Sequence, residues 1–324
     1  MGTKRKVQKN HSANKHYLFE EYENFLIEKE AEGKSPQTLK TYTYAFERYC
    51  LYNEFDMNTE CNEVTQSSVY AFINHLRKTD INETTVNTFA RNLRVSLYWL
   101  MDEKRAYTEP FKIPVVNHPQ TRPKTYTDEE VELLLLKPNK TDNFVTWRSW
   151  LLVNWCLATG NRAETVCEVK LGDIDFRAKQ VFLRIQKSRT DSVLPISSSL
   201  ESALKEYIRM WRNFAEDDAY LFCNIGEEKL TVNALHKSFA NYARSRGVEK
   251  TSVHALRHTF AMLYLRTSTN VFMLKKILNH KNLEITENYV RLFNQDLMRD
   301  YDKFSPLDNL KKNAKRTQKI QRFE

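Results

Sequence analysis

Two arginines, three histidines and one late tyrosine are the residues of this 324-residue chain whose types could do chemistry together. In chain order they are Arg162, His254, Arg257, His258, His280 and Tyr289. An arginine guanidinium is planar and always charged, so it can hold two phosphate oxygens at once. A tyrosine hydroxyl can act as a nucleophile. The set is therefore suited to attack by a tyrosine on a phosphodiester.

The segment after Thr251-Ser252 predicts a helix that begins at Val253 and carries three of these residues. His254, Arg257 and His258 stand at positions i, i+3 and i+4, so they share one face. A stripe of nitrogen donors suits an anion. A metal site is the weaker interpretation, because there is no H-E-x-x-H motif and the intervening arginine opposes a cation. The remaining alternative is a set of ordinary polar residues on a surface helix.

A second predicted helix, Val271 to Leu278, leads to the other candidates. Asn279 follows it where the chain should turn left-handed, so we expect His280 at the helix C-terminus. Tyr289 comes nine residues later, in a predicted short helix. Taken singly, His280 would be a surface or capping residue and Tyr289 a half-buried one.

Arg162 and Lys187 are predicted at two breaks in regular structure. Gly160 ends an apolar helix, so Arg162 can point into a cleft, although an ion pair with Glu164 is an alternative. The runs 181–185 and 193–196 predict a β-hairpin whose second strand, with Pro195, lies at a sheet edge. Lys187 falls in its turn and could serve as a general acid, or it could be an ordinary solvated lysine. Arg189 and Lys179 are close enough in sequence to compete for that role.

The pattern along the chain predicts a mainly α protein with a small antiparallel β-sheet. Residues 1–14 are basic and predicted to be disordered, and 15–106 contain four amphipathic helices. Residues 107–124 hold four of the eight prolines, which predicts an extended linker. A further domain, 125–302, starts with a helix at Thr127, and 303–324 form a basic C-terminal tail.

The overall charge favours a polyanionic partner. The formal net charge is +9, with an isoelectric point near 9.1, although a merely positive surface would give the same numbers. The five cysteines form no C-x-x-C pair, so we expect free thiols in a reducing cytosol. No apolar run has membrane length, and no secretory signal follows the basic N-terminus.

The ordered motifs resemble those of the tyrosine recombinase (phage integrase) family over residues 15–300. They are T-G-x-R at Arg162, a lysine in a β-hairpin, H-x-L-R-H at 254–258, and a histidine and tyrosine nine residues apart. The resemblance implies an N-terminal four-helix core-binding domain and an α+β catalytic domain. Two departures stand out. Asn279 replaces a family glycine, and Thr165 occupies a position that is usually acidic, with Glu164 one residue earlier.

The resemblance also implies a mechanism and partners. Tyr289 would attack DNA and form a 3′-phosphotyrosyl intermediate, with Arg162 and Arg257 on the phosphate oxygens and Lys187 protonating the leaving 5′-oxygen. His254 and His280 would orient groups or move the proton of the nucleophile, whereas His258 and Glu164 would support them without touching the phosphate. No metal or other cofactor is implied. The partners would be double-stranded DNA with specific sites and further copies of the chain, as a tetramer on two sites in the cytoplasm, at the nucleoid.

Other questions stay open at the level of sequence. Charge alone suggests DNA contacts for Lys34, Lys40, Arg91 and Arg94. The alternatives in function are a non-catalytic DNA-binding relative on the same fold and a type IB topoisomerase-like enzyme that relaxes DNA. Integration, transposition of a mobile element and dimer resolution are not separated by the sequence, nor are the target site and any accessory proteins.

Overall fold

The computed structural model describes residues 15–102, 105, 107–114, 123–183, 192–268, 270–280, 286–287 and 289–290. The chain divides into two compact units between Gln120 and Thr121. Helices dominate the described residues, and one small antiparallel sheet accompanies them. The predicted fold class is thereby confirmed.

Four helices form the amino-terminal unit. They are α1 (Leu18–Ala31), α2 (Pro36–Asn53), α3 (Gln66–Lys78) and α4 (Glu83–Leu100). Three of these helices, α2, α3 and α4, start at a local cap, since the side chains of Ser35, Thr65 and Asn82 each accept a hydrogen bond from a backbone N–H of the first turn. Their apolar faces meet in one core, with fully buried aromatic residues at Phe25, Phe46, Tyr49 and Phe72.

The first part of the predicted linker packs onto this core. Residues 107–114 contain no helix or strand, as expected from their prolines. The hydroxyl of Thr108 donates to the carbonyl oxygen of Cys61 at 2.6 Å. The Ile113 side chain is buried, and its backbone N–H donates to the Tyr98 hydroxyl at 3.1 Å. This part of the predicted linker is therefore fixed to the amino-terminal unit.

Seven α-helices of the second unit have both of their ends within the described residues. They are α5 (Asp128–Leu135), α6 (Phe144–Thr159), α7 (Ala163–Glu168), α8 (Ser198–Trp211), α9 (Val232–Ser245), α10 (Val253–Thr267) and α11 (Val271–Leu278). The predicted starts at Val253 and Val271 are confirmed. Helix α8 begins at Ser198, because Ser197 caps it, and it ends at Trp211.

Helix α6 is the central element of the second unit. Ten of its sixteen residues are buried, and it packs against α5, α8, α9 and α10. Trp147 and Trp155 are completely enclosed. Because the helix is apolar on all sides, its C-terminal end at Gly160 is brought into the interior.

The sheet has three strands in the order β1 (Ile174–Asp175), β2 (Gln180–Leu183) and β3 (Ser192–Pro195). Strands β2 and β3 pair antiparallel, with Gln180 opposite Pro195. The predicted hairpin and the edge position of Pro195 are confirmed. Strand β1 was not predicted, because two residues are too few to show an alternating pattern. The turn that carries Lys187 and Arg189 lies outside the described residues.

All five cysteines are buried free thiols, as predicted. No helix in the described part of the chain has both the length and the apolar character needed to cross a membrane.

Candidate active site

The first turn of α10 is held in place by the neighbouring segment around Tyr126. Ser252 caps the helix by accepting from the Ala255 N–H at 3.2 Å. The Tyr126 hydroxyl donates to the carbonyl oxygens of Lys250 and Ser252, and its backbone N–H donates to the Thr259 hydroxyl at 2.8 Å. These hydrogen bonds fix the start of α10, and with it the positions of residues 254–258 on the first turns of the helix.

Arg257 is the buried centre of the site, with 2% of its surface exposed. Its Nη1 donates to the carbonyl oxygen of Gly160 at 2.7 Å, and its Nη2 donates to that of Leu278 at 2.9 Å. Burial, and next the charge of Arg162, lowers the pKa of Arg257 to about 10, whereas Tyr289 opposes the shift. The guanidinium is thus still charged at neutral pH. It joins the end of α6, helix α10 and the end of α11.

Gly160 shapes the junction that carries Arg162. The residue has φ +63°, and a Cβ built on it would lie 2.4 Å from the Phe260 ring and 2.6 Å from Leu278. Asn161 is buried and accepts a hydrogen bond from the Trp155 indole N–H at 3.0 Å. The backbone thus runs against α10 and α11, and Arg162 emerges as an exposed residue just before α7.

Arg162 lies close enough to the rest of the site to act on it electrostatically. Its charge contributes to the lowered pKa values of Arg257, His254 and His280. A second positive charge beside a buried guanidinium is unfavourable unless an anion lies near both of them. The pair is consequently arranged as a receptor for negative charge.

His280 follows the left-handed Asn279 (φ +49°), as predicted, but it is buried rather than at the surface. Its Nε2 lies 2.7 Å from Nη2 of Arg257, and its Nδ1 lies 2.9 Å from the Thr286 hydroxyl. Burial first, and then the charges of Arg257 and Arg162, lowers the pKa of His280 to about 3. The ring is therefore neutral. Since an arginine can only donate, Nε2 accepts and Nδ1 carries the proton.

Tyr289 enters this cluster from the C-terminal segment. Its side chain is 6% exposed, and its hydroxyl lies 2.7 Å from Nδ1 of His258. The ring is parallel to that of His280, with centroids 6.1 Å apart. Burial raises the pKa of Tyr289, while Arg257, which also hydrogen-bonds the hydroxyl, and Arg162 work in the opposite direction.

His254 and His258 are in mutual contact on the open side of α10. Their rings meet edge to face at 4.4 Å between centroids, and His254 is exposed while His258 is half-buried. Desolvation, followed by His254 and Arg257, lowers the pKa of His258 to about 4. The pKa of His254 is lowered as well, by desolvation of its ring and then by the two arginines.

The structure thus brings five of the predicted residues, His254, Arg257, His258, His280 and Tyr289, into one cluster, with Arg162 near it. His258 was expected to stand back from the chemistry, but it contacts that hydroxyl directly. Lys187 lies outside the described residues. Glu164 is exposed in the first turn of α7.

Sequence reasoning missed the Thr286 hydroxyl and the Gly160 carbonyl as partners of the site. No sequence signal marks a threonine six residues after a histidine as its partner. Gly160 was predicted as a helix end, but a backbone carbonyl has no signature of its own. Among the described residues, no group of three histidine, cysteine or acidic side chains is arranged to hold a metal ion.

The residues predicted to touch DNA lie at the surface of the amino-terminal unit. Lys34 follows α1, Lys40 is on α2, and both are exposed. Arg91 is exposed on α4, and Arg94 is partly covered, with its guanidinium 5.0 Å from the Tyr98 ring centroid. Lys34 also lies 3.7 Å from Glu32. All four are reachable by a large partner.

Comparisons with known proteins agree with this geometry. The phage integrase family model matches residues 124–296, and the model of the phage integrase N-terminal SAM-like domain matches residues 22–106. The tyrosine recombinase XerA of Thermococcus kodakarensis is 28% identical over 298 residues, which are 90% of this chain and 97% of that protein.

Two solved structures share the fold. XerH site-specific recombinase bound to its palindromic difH substrate, in a post-cleavage complex, has a TM-score of 0.65 at 20% identity and covers 85% of this chain and 82% of its own. A lambda integrase tetramer bound to a Holliday junction has a TM-score of 0.65 at 15% identity, and the match covers 86% of this chain and 78% of the integrase chain.

Proposed function

Because this chain belongs to the phage integrase family of tyrosine recombinases, we propose that it is a site-specific DNA recombinase that cuts and rejoins DNA through a 3′-phosphotyrosyl intermediate. The observation that carries the proposal is the cluster of Tyr289, Arg257 and His280. One nucleophilic hydroxyl, one buried guanidinium and one neutral imidazole lie within hydrogen-bonding or stacking distance of one another. A protein that only bound DNA would have no use for a buried tyrosine hydroxyl in that position.

The two arginines supply the electrostatic part of the mechanism. A guanidinium has five N–H donors, so the bonds from Arg257 to two carbonyls and His280 leave donors for Tyr289 and for an incoming oxygen. Arg162 is exposed beside it and would hold a second non-bridging oxygen. Donors fixed in advance stabilise the charge that gathers on phosphorus oxygens in the transition state.

The histidines keep the arginine and the nucleophile in place. His280 accepts from Arg257 and donates to Thr286, so it fixes the rotation of the guanidinium. His254 stands exposed at the start of α10, where an incoming phosphate would meet it. We assign Lys187 the protonation of the leaving 5′-oxygen and Glu164 a supporting role beside Arg162.

The energy of the broken phosphodiester is kept in the phosphotyrosyl bond. Religation to a new 5′-hydroxyl is therefore nearly isoenergetic and requires no nucleotide. We place the DNA-binding core domain at 15–106, the linker at 107–124, the catalytic domain at 125–302 and a tail at 303–324. Lys34, Lys40, Arg91 and Arg94 would contact DNA phosphates. The working assembly would be a tetramer on two sites, acting in the cytoplasm at the nucleoid.

The experiment that tests the function starts from DNA selection. The full chain is used to enrich duplexes from a random pool, and cleavage positions are mapped on the recovered sequence by trapping the covalent complex on a nicked duplex. The proposal expects a specific site, a tyrosyl link at the 3′ end and a free 5′-hydroxyl. Site-dependent exchange between two duplexes supports a recombinase. Relaxation of plasmids without a site would favour a topoisomerase, and binding without cleavage would favour a non-catalytic regulator.

A further inference from the structure

His258 occupies a position that the mechanism above does not use. It lies on α10 directly after Arg257, and its Nδ1 is 2.7 Å from the Tyr289 hydroxyl. The two rings are 5.5 Å apart between centroids and inclined at 48°, so the contact is made in the edge direction of the imidazole rather than by stacking. The two residues are 31 positions apart, so the pairing is a product of the fold.

The direction of this hydrogen bond follows from its surroundings. His258 is neutral at neutral pH, because desolvation, His254 and Arg257 lower its pKa to about 4. Arg257 can only donate to the Tyr289 oxygen. The phenolic proton is then free to point at Nδ1 of His258, which places the single ring proton of that histidine on Nε2.

We propose that His258 accepts the phenolic proton of Tyr289 during DNA cleavage; the inference rests on the proposed function and adds a catalytic residue to it. A bond forms between the Tyr289 oxygen and phosphorus while the phenolic proton moves to Nδ1 of His258. The bond from phosphorus to the 5′-oxygen breaks with its electron pair on that oxygen, which takes a proton from the general acid assigned to Lys187. In religation His258 returns its proton to Tyr289.

The other histidines of the cluster are less suited to this step. Both ring nitrogens of His280 are engaged, one by Arg257 and one by Thr286. His254 is exposed and packs against the edge or face of the His258 ring. We therefore assign the proton transfer to His258, and to His254 a role beside the phosphate.

The low pKa of His258 in the protein without DNA is compatible with its role as the proton acceptor. Among the residues that the structure describes, the charged and titratable groups that face His258 are His254 and Arg257 on α10 and Tyr289 and His280 on the C-terminal segment. None of these carries a negative charge while Tyr289 is protonated. The bound phosphodiester supplies one, and an adjacent anion raises the pKa of an imidazole. The acceptor therefore becomes more basic when substrate arrives.

The test measures single-turnover cleavage of the selected site, presented as a nicked duplex, from pH 4.5 to 9. General bases contribute about 10²–10⁴-fold, so His258→Ala should slow cleavage by at least about 100-fold. Its rate should then rise about tenfold per pH unit, as expected when the phenol must ionise unaided. Replacing Tyr289 by 3,5-difluorotyrosine, a more acidic phenol, should restore most of the loss. A duplex with sulfur in place of the bridging 5′-oxygen should not restore the rate. A thiolate leaves without being protonated, so this duplex compensates only for a missing general acid.

A measurement with His258 intact covers the case in which the variant does not fold. With His258 present, the cleavage rate should fall at low pH because His258 becomes protonated. The pH of this acidic limb of the profile should therefore not change when fluorine is introduced into Tyr289. A limb that moves with the phenol would overturn the inference, as would rescue of His258→Ala by the sulfur duplex alone. His75→Ala on α3 serves as the control for losing a histidine, since His75 stacks on Tyr52 in the amino-terminal unit.

The two proposals fail separately. Cleavage by His258→Ala within about threefold of the unaltered chain would overturn the role of His258 and leave the recombinase function standing. Absence of cleavage by the unaltered chain on every selected duplex would overturn both.

Discussion

The Nη1 atom of Arg257 donates a 2.7 Å hydrogen bond to the carbonyl oxygen of Gly160, across 97 positions of sequence. The bond fixes the end of α6, which carries Arg162, to the helix that carries the other arginine. The position of Arg162 relative to the Arg257 guanidinium is thereby set inside the core rather than by surface loops.

Tyr289→Phe should abolish covalent attachment to DNA while leaving DNA affinity close to that of the unaltered chain. The change removes only the hydroxyl, and the ring can still stack against His280. The measurement is trapping on a nicked duplex beside a binding titration. Tyr264→Phe is the matched control, because Tyr264 packs on the same small apolar cluster. A Tyr289→Phe chain that still became linked to DNA would remove Tyr289 from the mechanism.

Arg257→Lys should lower the rate of cleavage by about 10²–10³-fold. An ammonium keeps the charge, but it cannot reproduce the planar fork that reaches Gly160, Leu278 and His280 together. Single-turnover cleavage measures the effect. Arg266→Lys on the same helix is the control, since Arg266 is exposed and pairs with Asp128. Near-normal cleavage by Arg257→Lys would contradict the role given to the fork.

Gly160→Ala should destabilise the second unit more than a left-handed backbone position alone explains. The φ of +63° costs an alanine about 1–2 kcal/mol, and overpacking against Phe260 and Leu278 adds roughly 1–3 kcal/mol. Gly33→Ala separates the two contributions, because Gly33 has φ +77° and nothing within 4 Å of its added methyl. Denaturant unfolding compares them. Equal losses of stability in the two variants would exclude the packing contribution.

Stability should fall as the pH is lowered below about 6.5, the ordinary pKa of histidine. The pKa values of His258 and His280 are about 4 and about 3 in the folded protein, so below pH 6.5 the unfolded chain binds protons that the folded chain does not. Each histidine contributes up to about 1.4 kcal/mol per pH unit in that range. Above pH 6.5 this contribution to stability is fully present.

Unfolding by urea at pH 7.5, 6.5 and 5.5 measures the pH dependence. His280→Gln should flatten it, whatever the variant does to stability at pH 7.5, because only the difference between pH values reports the proton uptake. An unchanged dependence in that variant would show that His280 is not held neutral by the fold.

Lys40→Ala and Arg91→Ala should each weaken DNA binding and reduce its dependence on salt. Each lost phosphate contact lowers the slope of log affinity against log salt by about 0.9. Titrations at several salt concentrations give the slope. Lys205→Ala is the control, since Lys205 is paired with Glu201 on α8. Slopes that match the control would place the DNA contacts elsewhere on the amino-terminal unit.

Local features could be predicted because they depend on a few neighbouring residues. Thr127 and Ser252 begin helices by accepting a hydrogen bond from a backbone N–H three residues ahead, and Asn279 ends one in the left-handed conformation. The i, i+3, i+4 stripe of α10 follows from helix geometry. The order of the motifs along the chain predicted the tyrosine recombinase family, and the family models confirm that prediction.

The sequence by itself determined the main helices and the hairpin, their order along the chain and the types of side chain available for phosphate chemistry. Only the tertiary structure decided which of those side chains meet: Arg257 at the Gly160 carbonyl, His280 at Thr286, and His258 at the Tyr289 hydroxyl. The reason is that a helical pattern fixes the direction of a side chain on its own helix. Which partner lies in that direction depends on how α6, α10 and α11 pack, and packing involves residues far apart in the chain.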